Sequence, residues 1–271
     1  MDVRLPQKAC TVPVYTHGHH ESVLRSHRWR TVENSAAYLV PYLTSGKELL
    51  DVGCGPGTIT ADFAQRLSPG RVRGVDSSAD AINAARLEHP GLDFATGDVY
   101  SLEFADASWD IVHAHQLLQH LSNPTAALKE MRRVVRPGGI VAARDSDYAS
   151  FTWYPNDDRL AQWLELYQEI ARANGGQPDA GRRLLSWAQQ ADFSRIQTSA
   201  SAWCFATPQD RAWWGGLWAD RMTTSAIAQQ AQREGRANAD ELATIADAWR
   251  TWAKADDGWF AVLHGEVICT R

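Results

Sequence analysis

Glu48-Leu49-Leu50-Asp51-Val52-Gly53-Cys54-Gly55-Pro56-Gly57 is the stretch on which the reading of this chain turns. Leu49, Leu50 and Val52 form a short apolar run with the character of a buried strand, and a helical pattern opens at Thr58. Gly53, Gly55 and Gly57 stand between them at two-residue spacing. Residues without a Cβ permit a tight strand-to-helix turn whose backbone can press against a ligand. A dinucleotide fingerprint, G-x-G-x-x-G, would need glycine at the position of Thr58. A phosphate loop would need Gly-Lys-Ser/Thr, and no lysine is near. Asp51, just before the turn, would repel a polyphosphate and suits a ligand carrying positive charge.

Outward from this turn, strand-like runs alternate with helical patterns. Thr58 to Leu67 reads as a helix closed by Ser68-Pro69-Gly70. RVRGVD is a second strand ending in Asp76, and Ser77 and Ser78 can cap the helix carrying Ile82 and Ala85. LDFATGD is a third strand with Asp98 just past it, and DIVHAH a fourth ending near His115. Asn123-Pro124 opens a helix with Ala127, Leu128, Met131 and Val134 on one face, and GIVAARD follows as a fifth strand. This alternation predicts an α/β fold with a doubly wound, mostly parallel sheet, in which ligands bind beyond the carboxyl ends of the strands. Asp51, Asp76, Asp98, His115 and Asp145 all fall at or near those ends. His113 and His115 on the fourth strand are expected to face opposite ways, one buried against a helix and one nearer the cleft. His120 is expected in the following helix or its cap.

Composition narrows the function classes. The formal net charge of −5 argues against general nucleic-acid affinity. No apolar run approaches the ~18 residues of a membrane span, and MDVRLPQKAC has no apolar targeting core. Cys10, Cys54, Cys204 and Cys269 include no C-x-x-C pair, which reads as reduced thiols in a cytoplasmic protein. Only two of the 12 tryptophans precede residue 150, so the two halves pack differently.

DVGCGPG, VRGVD, TGDVY and RPGG, in this order, resemble the motifs of class I S-adenosyl-L-methionine-dependent methyltransferases. The likeness is greatest to the small-molecule enzymes that include those of ubiquinone and menaquinone biosynthesis. It implies a Rossmann-like, seven-stranded sheet with an N-terminal helical lid (1–45) and a core (46–207 and 258–271); the stretch between, 208–257, is rich in helix formers and far longer than a typical connection, and reads as a helical cap insertion. It implies that Gly53, Gly55 and Gly57 face the methionyl portion of the cofactor and that Asp51 sits near its ammonium group. Asp76 would accept from both ribose hydroxyls, Asp98 from the adenine amino group, and the Val99 amide would meet a ring nitrogen. His115 would stand beside the sulfonium and the substrate. Asp51 has a second reading, as a carboxylate that holds the loop.

YTHGHHESVLRSHRW, Tyr15 to Trp29, clusters His17, His19 and His20 before a helix. In the family this segment folds over the cofactor, which brings Tyr15 and a histidine to the site. A solvated, functionally silent histidine loop is one alternative; a metal centre is another, but zinc needs three or four protein ligands and no partner follows at a recognisable spacing, so none is expected. Asp147, Tyr148, Phe151, Trp153 and Tyr154 could line a substrate pocket or simply pack. A sulfonium methyl is already activated, so the protein must align a nucleophile and exclude water. His115, His20 and Asp145 are the candidate bases for an oxygen nucleophile. The expected acceptor is a small organic molecule with an O, N or C nucleophile, and the expected state a monomer or homodimer. A nicotinamide oxidoreductase and a non-catalytic S-adenosylmethionine-binding protein remain the alternatives.

Overall fold

The structure is a computed structural model and describes residues 21–271. Tyr15, His17, His19 and His20 lie outside the described residues. Strands β1 (Leu49–Val52), β2 (Val72–Asp76), β3 (Asp93–Thr96), β4 (Trp109–His115), β5 (Val135–Ser146), β6 (Thr152–Tyr154), β7 (Arg195–Phe205) and β8 (Trp259–Thr270) form one sheet. Its helices are α1 (Glu21–Arg28), α2 (Val32–Ser35), α3 (Thr58–Leu67), α4 (Ala79–Glu88), α5 (Pro124–Val134), α6 (Asp158–Ala173), α7 (Leu184–Gln190), α8 (Pro208–Thr224), α9 (Ala226–Arg233) and α10 (Ala239–Lys254). None of them is long and apolar enough to cross a membrane.

β3, β2, β1, β4 and β5 lie side by side in parallel, and β8 runs antiparallel to β5. β7 then pairs with the other edge of β8 along its whole length. The doubly wound, mostly parallel sheet is thus present, with eight strands where seven are expected from sequence. The extra strand adds no column: β5 covers β8 from His264 to Thr270, and β6 takes up the same edge from Trp259 to Ala261. The chain leaves the sheet after Ser146, makes a short turn, and returns for three residues.

Alternation along the strands sorts two cores. On one face Leu49, Ile111, Ala142 and Ile268 meet Ile59, Phe63 and Leu67 of α3. On the other Leu50, Val112, Val141 and Val267 meet Leu128, Met131 and Val134 of α5 and Leu184 of α7. A third core extends the first face beyond the β7–β8 tip, where α6, α8, α9 and α10 enclose Trp163, Trp214, Trp218, Trp249 and Phe260. The excess of tryptophan after residue 150 is largely this core: Trp163 meets Trp218 and Trp249 edge-on at centroid distances of 4.5 and 4.8 Å. Tyr148 and Phe151 belong to it as well, stacked at 4.4 Å, and Trp153 stacks on Phe260. Helices α8 and α10 are fixed at their starts by local chemistry: Thr207 with Asp210 and Asn238 with Glu241 make reciprocal capping boxes.

Candidate functional site

The β1–α3 turn uses its glycines in different ways. Gly53, Gly55 and Gly57 all have positive φ, at 73°, 54° and 82°, a region that side chains disfavour. Gly57 is also crowded: a Cβ there would stand 2.6 Å from Cζ of Phe94 on β3. The turn, β2, β3 and the segment after β4 surround a cavity of about 610 Å³ at the carboxyl ends of the strands. Asp51, Val52, Gly53, Gly55, Asp76, Asp98, Val99 and His115 all line it. Gly57 does not, and neither does Asp145.

The carboxylates are differently held. Asp76 Oδ2 accepts the Gly55 amide and Oδ1 the Ser78 amide, both at 2.9 Å. Both carboxylate oxygens are thus oriented by backbone amides of the turn and of the α4 start. Asp98 Oδ1 accepts the Tyr100 amide at 2.9 Å, and the residue is exposed at the cavity rim. Asp51 is buried; its Oδ2 accepts the Thr60 hydroxyl at 2.6 Å and its Oδ1 meets His113 Nδ1 at 2.8 Å. Two side chains, rather than loop amides, therefore fasten Asp51 to α3 and β4.

His113 and His115 do not face opposite ways as expected: residues two apart on a strand share a face, and both lie on the same face of β4. They differ in depth along the strand. His113 is packed against Phe63 of α3 at 4.9 Å, while His115, one step nearer the strand end, reaches the cavity. His115 is buried and neither ring nitrogen has a hydrogen-bond partner. Burial, reinforced by the Arg30 and Arg144 charges, pushes its pKa well down, so the imidazole is neutral. Burial likewise pushes the Cys54 thiol up and keeps it protonated on the cavity wall.

Asp145 lies behind the cavity. Its Oδ1 accepts the Gln119 amide at 3.0 Å, holding the 3-10 turn Leu118–His120, and its Oδ2 has no partner. Burial raises this carboxyl to about 7 against the lowering effect of those amides and of Arg144. His120 ends that turn and does line the cavity, where sequence reasoning assigns it only to a helix or its cap. Burial, with the Arg30 charge, depresses it to about 3.

Of three further residues of the site, His27 belongs to the Tyr15–Trp29 stretch expected to fold over the cofactor, whereas Arg30 and Gln116 escape sequence reasoning. His27 and Arg30, from the segment before β1, close one wall of the cavity. Gln116, directly after β4, takes the left-handed region at φ 49°. From there its Oε1 accepts from Arg30 at 2.5 Å, while its Nε2 meets His264 Nε2 at 2.9 Å. No local sequence signal announces Arg30 or Gln116, because each depends on partners far along the chain. Elsewhere, α1 is tied to α8 through Arg25–Asp220 at 3.0 Å and by Arg221 donating to Ser26 at 2.8 Å.

Residues 50–143 match the protein family described as a methyltransferase domain. Over 269 residues the chain is 34% identical to an uncharacterized methyltransferase of Schizosaccharomyces pombe, covering 94% of this chain and 95% of that protein. A demethylmenaquinone methyltransferase of Renibacterium salmoninarum is 32% identical over 130 residues, 48% of this chain and 52% of its own. Among solved structures, the chain superposes on phosphoethanolamine N-methyltransferase 2 of Haemonchus contortus with a TM-score of 0.54 at 17% identity, covering 88% of this chain and 53% of that one. The YcgJ protein of Bacillus subtilis gives 0.53 at 15% identity, covering 88% and 99%. At such identities these two likenesses speak to the fold.

Proposed function

The chain belongs to the class I S-adenosyl-L-methionine-dependent methyltransferases, and from that premise we propose that it methylates a small organic acceptor inside the cavity bounded by the glycine turn, Asp76, Asp98 and His115. The observation that carries this reading is the acidic end of that cavity. Asp51, Asp76 and Asp98 meet there beside a glycine turn with no lysine, which disfavours a polyphosphate and accommodates a cation bearing a diol. The Asp76 carboxylate, held at the end of β2 by two amides and lining the cavity, suits two ribose hydroxyls, and the rim position of Asp98 with the adjacent Val99 backbone suits the edge of a base. When bound, S-adenosyl-L-methionine supplies an activated methyl group for in-line displacement.

The protein's own part is to hold the acceptor in line and keep water out. Leu117 and Leu121 line the cavity near His115, and the segment carrying His27 and Arg30 closes over it. The bonds between α1 and α8 support reading residues 208–257 as a cap that holds this closing segment in place. His115 is the one histidine of β4 at the cavity and is assigned to the acceptor side. Asp145 is assigned to positioning the turn that carries His120.

Calorimetry with S-adenosylhomocysteine and with NAD tests the reading. Binding of the former alone is expected; binding of NAD alone would sink it. Asp76→Ala should weaken S-adenosylhomocysteine binding by roughly 1.5–3 kcal/mol, as for hydrogen bonds to charged groups. An unchanged dissociation constant would refute the ribose assignment.

A further inference from the structure

Behind the cavity wall formed by His115 and Arg30, a cluster of side chains is organised around one indole. Trp203 of β7 has the Arg144 guanidinium 5.1 Å and the Arg30 guanidinium 5.8 Å from its ring centroid. His264 stands 4.4 Å and His115 5.7 Å from the same ring. The indole N–H donates to the Asn34 carbonyl at 2.5 Å, which pins the segment before β1 onto this spot. Arg144 Nε donates to Glu266 at 3.2 Å, and the Ser199 and Ser201 hydroxyls donate to the same carboxylate at 2.6 and 2.5 Å.

This cluster is short of acceptors. Arg144 Nη1, the Tyr38 hydroxyl and both nitrogens of His115 are buried without a hydrogen-bond partner. A buried donor left unmade is costly and calls for a ligand or water that accepts from it. Of these residues His115 lines the cavity, and Arg30 joins it there. The electrostatics agree. Burial depresses His115 and His264, and the charges of Arg30 and Arg144 depress both further. Arg30 also works against protonation of His120, on the same wall. The cavity is therefore polarised, acidic at the ends of β1 to β3 and basic at the end of β4.

We propose that the methyl acceptor is a small organic anion whose ionised oxygen, a carboxylate or phenolate, docks against His115 with Arg30 beside it. This rests on the methyltransferase reading above and names the class of substrate for that same cavity. An oxygen that arrives ionised needs no base. Its lone pair forms the new C–O bond as the C–S bond of the donor breaks and the electron pair returns to sulfur. Cation and anion become two neutral products, and no proton moves. His115, held neutral between two guanidinium groups, is a poor proton store but can donate one N–H to such an oxygen. Arg144 and Tyr38 then act as positioning residues behind it.

The test is a two-step calorimetric titration of the full chain. S-adenosylhomocysteine is titrated first; the saturated protein is then titrated with benzoate and benzamide, and with short aliphatic carboxylates beside their amides. At least one carboxylate should bind ~tenfold more tightly than its amide, as a charge-assisted hydrogen bond requires. Arg30→Gln should bring the pair within about twofold and Arg30→Lys should keep most of the preference, because only the lysine retains the charge. The variants' affinity for S-adenosylhomocysteine reports that they are folded. Failure at the first titration overturns the cofactor assignment and this proposal together. S-adenosylhomocysteine binding followed by equal or no binding of every carboxylate and amide, or a preference that survives Arg30→Gln, overturns this proposal alone.

Discussion

Replacing Asp145 by asparagine should make the protein more sensitive to acid, although the change removes a buried acid. Burial holds this carboxyl at about 7 in the folded chain, against 3.8 for an ordinary aspartate. A carboxyl raised in this way keeps its proton where the unfolded chain has shed it. Its contribution to stability is therefore fully present below pH ~4 and is lost as pH rises through ~7. From those two values the contribution at pH 5 exceeds that at pH 7 by about 2 kcal/mol. His120 has the opposite sign. Depressed from 6.5 to about 3, it stays neutral while the unfolded chain takes up a proton. Its contribution is present above pH ~6.5 and falls by about 2 kcal/mol between pH 7 and pH 5. The two nearly offset each other, and His115 and His264, also depressed, tip the wild-type balance toward loss of stability in acid. Asp145→Asn keeps the size and an acceptor for the Gln119 amide but deletes the compensating group. Guanidinium unfolding followed by tryptophan fluorescence should show variant and wild type close together at pH 7 and separated by about 2 kcal/mol at pH 5. Parallel curves across that range would refute the reasoning.

Other parts of the molecule yield sharper losses. Gly57→Ala combines φ 82° with a Cβ 2.6 Å from Phe94; thermal unfolding should show a cost of about 2 kcal/mol or more. Glu266→Ala leaves the Arg144 guanidinium buried without its carboxylate, and denaturant midpoints should report a loss of about 3–5 kcal/mol. Glu266→Gln, whose one side-chain oxygen can still accept from Arg144 and Ser201, should cost less. Trp249→Ala opens the centre of the tryptophan-rich core, at about 3–5 kcal/mol, with no change in S-adenosylhomocysteine affinity because the residue is remote from the cavity.

The site divides cleanly into what local sequence announces and what it does not. Asp51, Asp76 and Asp98 are legible because each follows an apolar strand-like run, and parallel strands bring their carboxyl ends to one edge. Arg30, Trp203 and His264 are not legible, since they come from segments with ordinary local patterns. They meet only when β7 and β8 are laid on the far side of β5. Gln116 is hidden for another reason: nothing in its neighbours predicts a left-handed glutamine. His120 is passed over because a histidine near a helix start reads as a cap. The strand count fails by one for a comparable cause: β6 has three residues and no periodicity to reveal it, and it exists because β8 extends past the end of β5.

That reach of β8 sets an order on assembly. It borders β5, β6 and β7 at once and follows all three along the chain. Until residues 259–270 have emerged during synthesis, the outer edge of β5 and both flanking strands have no partner in this sheet. Residues 49–146 can already pair as a parallel sheet by then, with the glycine turn, Asp76 and Asp98 in place. Every residue that lines the cavity, from His27 to Ser122, has been made by then, so its wall is built from one contiguous stretch, early. The cluster around Trp203 behind that wall waits for Glu266 and His264, so a nascent chain can outline the cavity before Arg144 and Gln116 have these partners. Open strand edges during that interval are the molecule's period of greatest exposure to aggregation.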